Sequence, residues 1–522
     1  MIGYPFDSEL LLKKAKKIKR ELLEDGSGRI RKKIAVLGGA TTHEIVRMME
    51  LFLLDEGIEP VFYESEYAQY YEDAVFGNPE LDAFAPDLIY VCTSFRNLKE
   101  LPDLNMKEED AEALAGETAE RFKTVWEKCR ERYHCPVIQN NFEFPPFRLM
   151  GNADASDPRG SVHFVNAVNA AMVRNMRQLS AQGYSVYLHD LQYLSASFGL
   201  DRWHDEGLWN LYKYAQSMEA VPTLAYSVTR IVKSVFGKNK KALVLDLDNT
   251  LWGGVIGDDG VSGIELGEET AQGETFRAFQ SYLKKQKDIG ILLAVDSKNE
   301  EENALAGLNH PQGVLRPGDF VAIRANWEPK SMNFTEIAAE LNILPESMVF
   351  VDDNPAEREI VRQQVKGAAV PEMSAPETYI RTLDRAGYFE VTSLSEDDRR
   401  RSQMYLENAQ RTRAEHSFAD YGEYLKSLEM HAVIRPFEEI YYPRITQLTN
   451  KSNQFNLTTR RYTQEEIAQA ASDGDTVTLY GQLFDKFGDN GIVSVVIGSV
   501  AMQLTEEERD KDGRIVRKGE PT

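Results

Sequence analysis

Cysteine is nearly absent: the 522 residues contain three, Cys92, Cys129 and Cys135, and none follows position 135. They form no CxxC pattern and no disulfide framework, which fits a reducing compartment. Long apolar runs are missing too, so no segment is expected to span a bilayer. Residues 1–26 carry only a three-leucine run ahead of their basic cluster, whereas a secretory signal places a longer apolar core after one. Positive charge is in deficit: 60 Lys and Arg against 83 Asp and Glu give a net charge of -23. Such a surface disfavours nonspecific nucleic-acid binding and anionic membranes. It leaves phosphorylated substrates open, because a cation held in a site inverts the local field. There is no internal repeat. The expectation is a cytoplasmic protein with neither nucleic-acid nor membrane partners.

The length calls for about three to four domains, and 42% hydrophobic residues are enough to build several cores. Residues 1–27 hold an N-terminal helix with Asp7 or Ser8 as its cap. Strand and helix patterns alternate over 28–237 and again over 238–390, which implies two doubly wound parallel α/β domains. Residues 391–429 read as a charged helical linker, with Ser395 and Asp398 resembling a capping box. Residues 430–522 change to an α+β pattern, with Thr463 and Glu466 capping a helix, a hairpin turning at 488–491 and a frayed polar tail.

The densest chemistry is in "ALVLDLDNTLWGGVIGDDG", where a buried strand runs into Asp246 and Asp248. Ser297 follows a later strand, Lys330 precedes a helix, and Asp352 and Asp353 follow another strand. Strand-end carboxylates from separate units can converge on one hard cation such as Mg²⁺, which relieves their repulsion. In that arrangement Asp246 is the nucleophile that forms an aspartyl-phosphate. Asp248 protonates the leaving oxygen and then activates water. Ser297 and Lys330 hold the transferring phosphoryl oxygens. Asp246, Asp248, Asp352 and Asp353 are the expected metal residues, and Thr250, Trp252 and Asn299 the expected substrate contacts.

"DLDNT", Ser297, Lys330 and Asp352-Asp353 together resemble the haloacid dehalogenase (HAD) superfamily of phosphotransferases. "LDLDNTLWGGVIGDDG", "RANWEPKS", "FVDDNPAERE" and "NKSNQFNLTTRRYT" are similar to the FkbH-like proteins of its subfamily IIIC, over roughly residues 30 to 500. The resemblance implies an N-terminal domain similar to SGNH hydrolases, a central HAD domain and a C-terminal acetyltransferase-like (GNAT) domain. Some relatives take a glyceryl unit from 1,3-bisphosphoglycerate and load it onto an acyl carrier protein for polyketide-type synthesis.

Three departures bear on function. Glyceryl-transferring members have Cys before the second-motif Ser, whereas this chain has Asp296. That acid either adds negative charge beside the site or is a hydrogen-bonded loop residue. The SGNH-like turn reads "GGATTHE", so only Thr41 or Thr42 can stand in for the usual serine; Asn140 or Asn141, Asp201 and His204 are the other candidates for a second site. A binding or scaffold role is expected there. The GNAT-like region lacks a Gly-rich loop opening a helix, so it reads as partial and acetyl transfer is not expected.

Only a short flap separates Leu251 from Thr270, too small for a cap domain. The leading expectation is a Mg²⁺-dependent phosphatase or phosphotransferase in a biosynthetic pathway, acting on a phosphorylated small molecule. FkbH-type acyl loading of a carrier protein and a carrier-binding scaffold with weak catalysis are the alternatives.

Overall fold

The computed structural model describes residues 2–25, 28–392, 394, 400–401, 403–405, 407–408, 411, 420–451, 460, 462–500, 502–509 and 515–521. The chain divides into two compact units, residues 1–239 with 381–392, and residues 240–380 with 393–522.

Unit one is built on apolar runs without alternation, the pattern of strands covered on both faces. Its five parallel strands are β1 (Ile30–Gly38), β2 (Ile58–Glu64), β3 (Leu88–Cys92), β4 (Val137–Asn140) and β5 (Val186–His189), in the order β2-β1-β3-β4-β5. Ile34 and Val36 of β1 join one core with the helices Ser8–Glu24, His43–Asp55 and Val221–Val235. Ala35 and Leu37 join another with Glu108–Tyr133 and Ser161–Ala181. Asp7 caps the first helix, accepting from the Leu10 amide at 2.9 Å.

Unit two opens on a second parallel sheet, ordered β8-β7-β6-β9, from β6 (Ala242–Leu245), β7 (Leu292–Ser297), β8 (Ala322–Ala325) and β9 (Met348–Val351). Strand β8 is short and partly polar, so its apolar signal is weak in the sequence. Ala242, Val244, Ala294 and Phe350 pack against Phe334 and Ile337 of the helix Lys330–Glu340 and Val361 of the helix Pro355–Gln364. Pro355 sits in the first turn of the latter, where its missing N–H costs nothing.

Beyond residue 420 lies a three-stranded antiparallel sheet of β10 (His431–Pro436), β11 (Thr476–Asp485) and β12 (Gly488–Ser499). Phe437, Ile445, Ile467, Tyr480 and Ile492 form its core. Thr463 and Glu466 make the expected capping box. The hairpin turns at Lys486-Phe487, three residues earlier than expected, because Asp485 pairs with Gly488. The tail, expected to fray, pairs as β13 (Met502–Arg509) with β14 (Ile515–Pro521). The expected Ser395–Asp398 capping box and most of the "KSNQFNLTTR" stretch lie outside the described residues.

Candidate active site

Asp246 lies one residue beyond β6, and its N–H donates to the Val351 carbonyl at 2.9 Å, so pairing with β9 continues past the strand. The chain then turns. The amides of Thr250 and Leu251 both donate to the Leu247 carbonyl, and Asn249 takes a φ of 55°, which its short polar side chain tolerates. Both aspartates thus sit where the sheet ends, in the crevice where open parallel sheets bind ligands.

Asp352 and Asp353 follow β9 in the same way. Single carboxylate oxygens of Asp246, Asp352 and Asp353 lie within 4.8 Å of one another. Lys330, the first residue of its helix and 3% exposed, reaches into the group. Its Nζ is 2.9 Å from Asp246 Oδ1 and 2.5 Å from Asp352 Oδ2. Burial opposes the ammonium charge, but the two carboxylates outweigh it and hold Lys330 above its ordinary range. Burial and the charge of Asp246 push Asp352 up to about 6 and also raise Asp353, with Lys330 opposing both shifts. One ammonium offsets only part of three carboxylates. The compact, all-oxygen, anionic donor set that results suits a small hard divalent cation.

The Asp248 carboxylate is not one of that trio. Its Oδ1 accepts from Trp252 Nε1 at 2.8 Å and the Ile256 amide at 3.1 Å, and its Oδ2 accepts from Asn299 Nδ2 at 2.8 Å. Burial raises its pKa, and Asp246 adds to the rise; these donors oppose it. Trp252 and Asn299, expected to touch substrate, are buried, and each donates to Asp248. Thr250 is fully buried, and its Oγ1 has no hydrogen-bond partner among the described residues. Trp252 can lie against the helix Glu301–Leu308 because position 307 is glycine: a Cβ there would come within 2.7 Å of the indole. Glycine inside a helix costs about 1 kcal/mol relative to alanine, so its presence reflects this close packing.

Ser297 ends β7 and is buried, with Asp296 beside it. Asp296 is a strand residue, fully buried, rather than a loop residue. Its Oδ1 accepts from Asn333 Nδ2 at 3.0 Å, while Oδ2 has no hydrogen-bond partner among the described residues. Burial pushes it up to about 8 against the pull of Asn333 and Lys330. Burial thus favours its neutral form.

The residues proposed for a second site in unit one are placed as follows. Thr41 Oγ1 donates to the Tyr212 carbonyl at 2.7 Å. His204 Nε2 pairs with the Phe144 carbonyl at 2.9 Å, and burial lowers its pKa. Asp201 is exposed on a four-residue helix. Asn140 accepts from Tyr90 Oη and His189 Nδ1 and donates to the Thr93 carbonyl. The Thr41 hydroxyl proton is thus engaged with a carbonyl rather than a histidine. Sequence reasoning passed over Glu143, which is fully buried and pushed up to about 8 by that burial. Its only signal was an acid close behind the strand-end Asn pair in "QNNFE".

Fold and cluster together give unit two a phosphatase-like architecture. Comparison with known proteins narrows the likeness. Residues 33–233 match the family described as FkbH, N-terminal domain. A crystal structure of the N-terminal part of the protein BF1531 from Bacteroides fragilis, containing a phosphatase domain complexed with Mg, is 29% identical with a TM-score of 0.65, and the alignment covers 73% of this chain and 99% of that one. No curated protein matches the chain. Among the described residues no helix is long and apolar enough to cross a membrane.

Proposed function

We propose that unit two is a Mg²⁺-dependent phosphatase or phosphotransferase working through an aspartyl-phosphate. The reading is carried by the Asp246–Asp352–Asp353 cluster with Lys330 bridging two of its members. The Bacteroides relative, solved with Mg, supports it. Asp246, Asp352 and Asp353 would hold the ion, which when bound neutralises the cluster and draws charge from phosphoryl oxygens. Asp246 then attacks phosphorus. The departing oxygen takes a proton from Asp248, whose pKa burial raises. Water next attacks the aspartyl-phosphate, Asp248 takes the water's proton, and phosphate leaves with Asp246 restored. Lys330 and Ser297 steady the phosphoryl oxygens.

The cysteine relay of glyceryl transfer has no counterpart, since all three thiols lie in unit one and are buried. Incubation with Mg²⁺ and a panel of phosphomonoesters tests the reading. Phosphate release should stop with chelator and fall to background in Asp246→Asn. A glyceryl adduct on an acyl carrier protein incubated with 1,3-bisphosphoglycerate, seen by intact mass, would replace this reading with acyl loading. Silence across the whole panel would favour a carrier-binding scaffold.

A further inference from the structure

Trp327 is 68% exposed, whereas Trp126, Trp203 and Trp252 are at most 1% exposed. A single exposed apolar residue is ordinary on a protein surface, so its position and anchoring decide what it means. Trp327 lies in the loop between β8 and Lys330. The residue before it, Asn326, donates its amide to the Ser297 carbonyl at 3.2 Å, which ties this loop to the end of β7. Asn326 Oδ1 accepts from Asn333 Nδ2 at 2.9 Å and from the Glu328 amide at 3.1 Å, so the loop is braced from both sides. The indole Nε1 donates to Glu300 Oε1 at 2.8 Å. Glu300 is the N-cap of the helix that follows Ser297. An exposed indole N–H would find water without help. The bond to Glu300 therefore orients the ring rather than rescuing a buried donor. The ring is held between the loops after β7 and β8, at the carboxyl end of the sheet where Asp246 and Ser297 also lie.

We propose that Trp327 is a specificity-determining residue of this site, resting on the phosphatase reading above. Its face receives the flat, weakly polar portion of an organic phosphate, an aromatic ring or the C–H face of a sugar, while the phosphoryl group sits at Asp246 and Lys330. Indole faces bind such surfaces with little loss of conformational freedom because the side chain has only two rotatable bonds. The short flap leaves that ring uncovered, so it supplies the apolar contact that a cap domain would otherwise provide.

Binding to the Asp246→Asn protein with Mg²⁺, followed by calorimetry, tests this without needing turnover. The probes are phenyl phosphate, glucose 1-phosphate and inorganic phosphate. With Trp327 intact, at least one organic phosphate should bind tighter than inorganic phosphate, and which one identifies the kind of face preferred. Adding Trp327→Ala should weaken that ligand about tenfold and leave inorganic phosphate within twofold. Trp327→Phe should retain most of the affinity, and Glu300→Ala should lose part of it by freeing the ring. Equal losses for organic and inorganic phosphate, no loss for any organic phosphate, or no preference for an organic phosphate with Trp327 intact would each overturn the assignment. A wild-type protein that releases no phosphate would sink the phosphatase reading alone, since the binding comparison stands apart from turnover.

Discussion

Position 296 shows what a single buried acid does to the molecule around it. Asp296 is pushed from its ordinary 3.8 up to about 8 by burial. Between those values the folded chain keeps a proton that the unfolded chain has released. Stability therefore falls as pH rises through that window, on the order of 1 kcal/mol per pH unit once the two states differ by a whole proton. Asp296→Asn keeps the shape and removes the titration. Its melting temperature should gain on the wild type from pH 5 to about pH 8 and level off above it, whereas parallel curves would show that Asp296 does not titrate as described. Glu143, also pushed to about 8, adds a slope of the same sign that the substitution leaves in place. The sequence showed that an acid stands at 296. It could not show the raised pKa, which comes from complete burial outweighing the pull of Asn333 and Lys330, a balance set by packing from distant positions.

Among the elements, the segment from Leu251 to Ile256 is a grip on one side chain. Trp252 and the Ile256 amide hold one oxygen of Asp248, and Asn299 from the loop after β7 holds the other. These donors favour the carboxylate, so removing one should raise the pKa of Asp248. Asn299→Ala should therefore shift the kcat–pH profile upward and lower kcat about tenfold while KM changes less than twofold. A rise in KM with kcat intact would return Asn299 to the substrate-contact role its motif suggests. The strand-to-loop placement of Asp246, Ser297, Asp352 and Asp353 was legible because buried strands are apolar runs that stop abruptly at polar residues. The grip on Asp248 was not legible, because it needs the hydrogen-bond direction of Trp252 and Asn299. The hairpin misplacement at β11–β12 has a similar cause: "GDNG" reads as a turn, yet the pairing of Asp485 with Gly488 places the bend ahead of it.

At the scale of the whole molecule, the two parallel sheets were readable from two stretches of alternating strands and helices, while the grouping of residues 381–392 with unit one and of 393–522 with unit two was not, since nothing local marks which unit a segment joins. The net charge of -23 is a property of the whole surface and says little about the site, where Lys330 sets the local balance. The three thiols have a consequence of their own. Cys92, Cys129 and Cys135 are buried, and burial pushes the first two to about 12, so neither presents a thiolate at neutral pH. Native protein treated with N-ethylmaleimide or oxidised glutathione should keep its phosphate release and its unmodified mass, and should take up label only after denaturation. Loss of activity on treatment of the folded protein would contradict a site composed of carboxylates, a hydroxyl and an ammonium group. Such a site offers no thiolate to maleimides or mild oxidants, so its turnover would continue through a redox stress that silences thiol-dependent enzymes beside it.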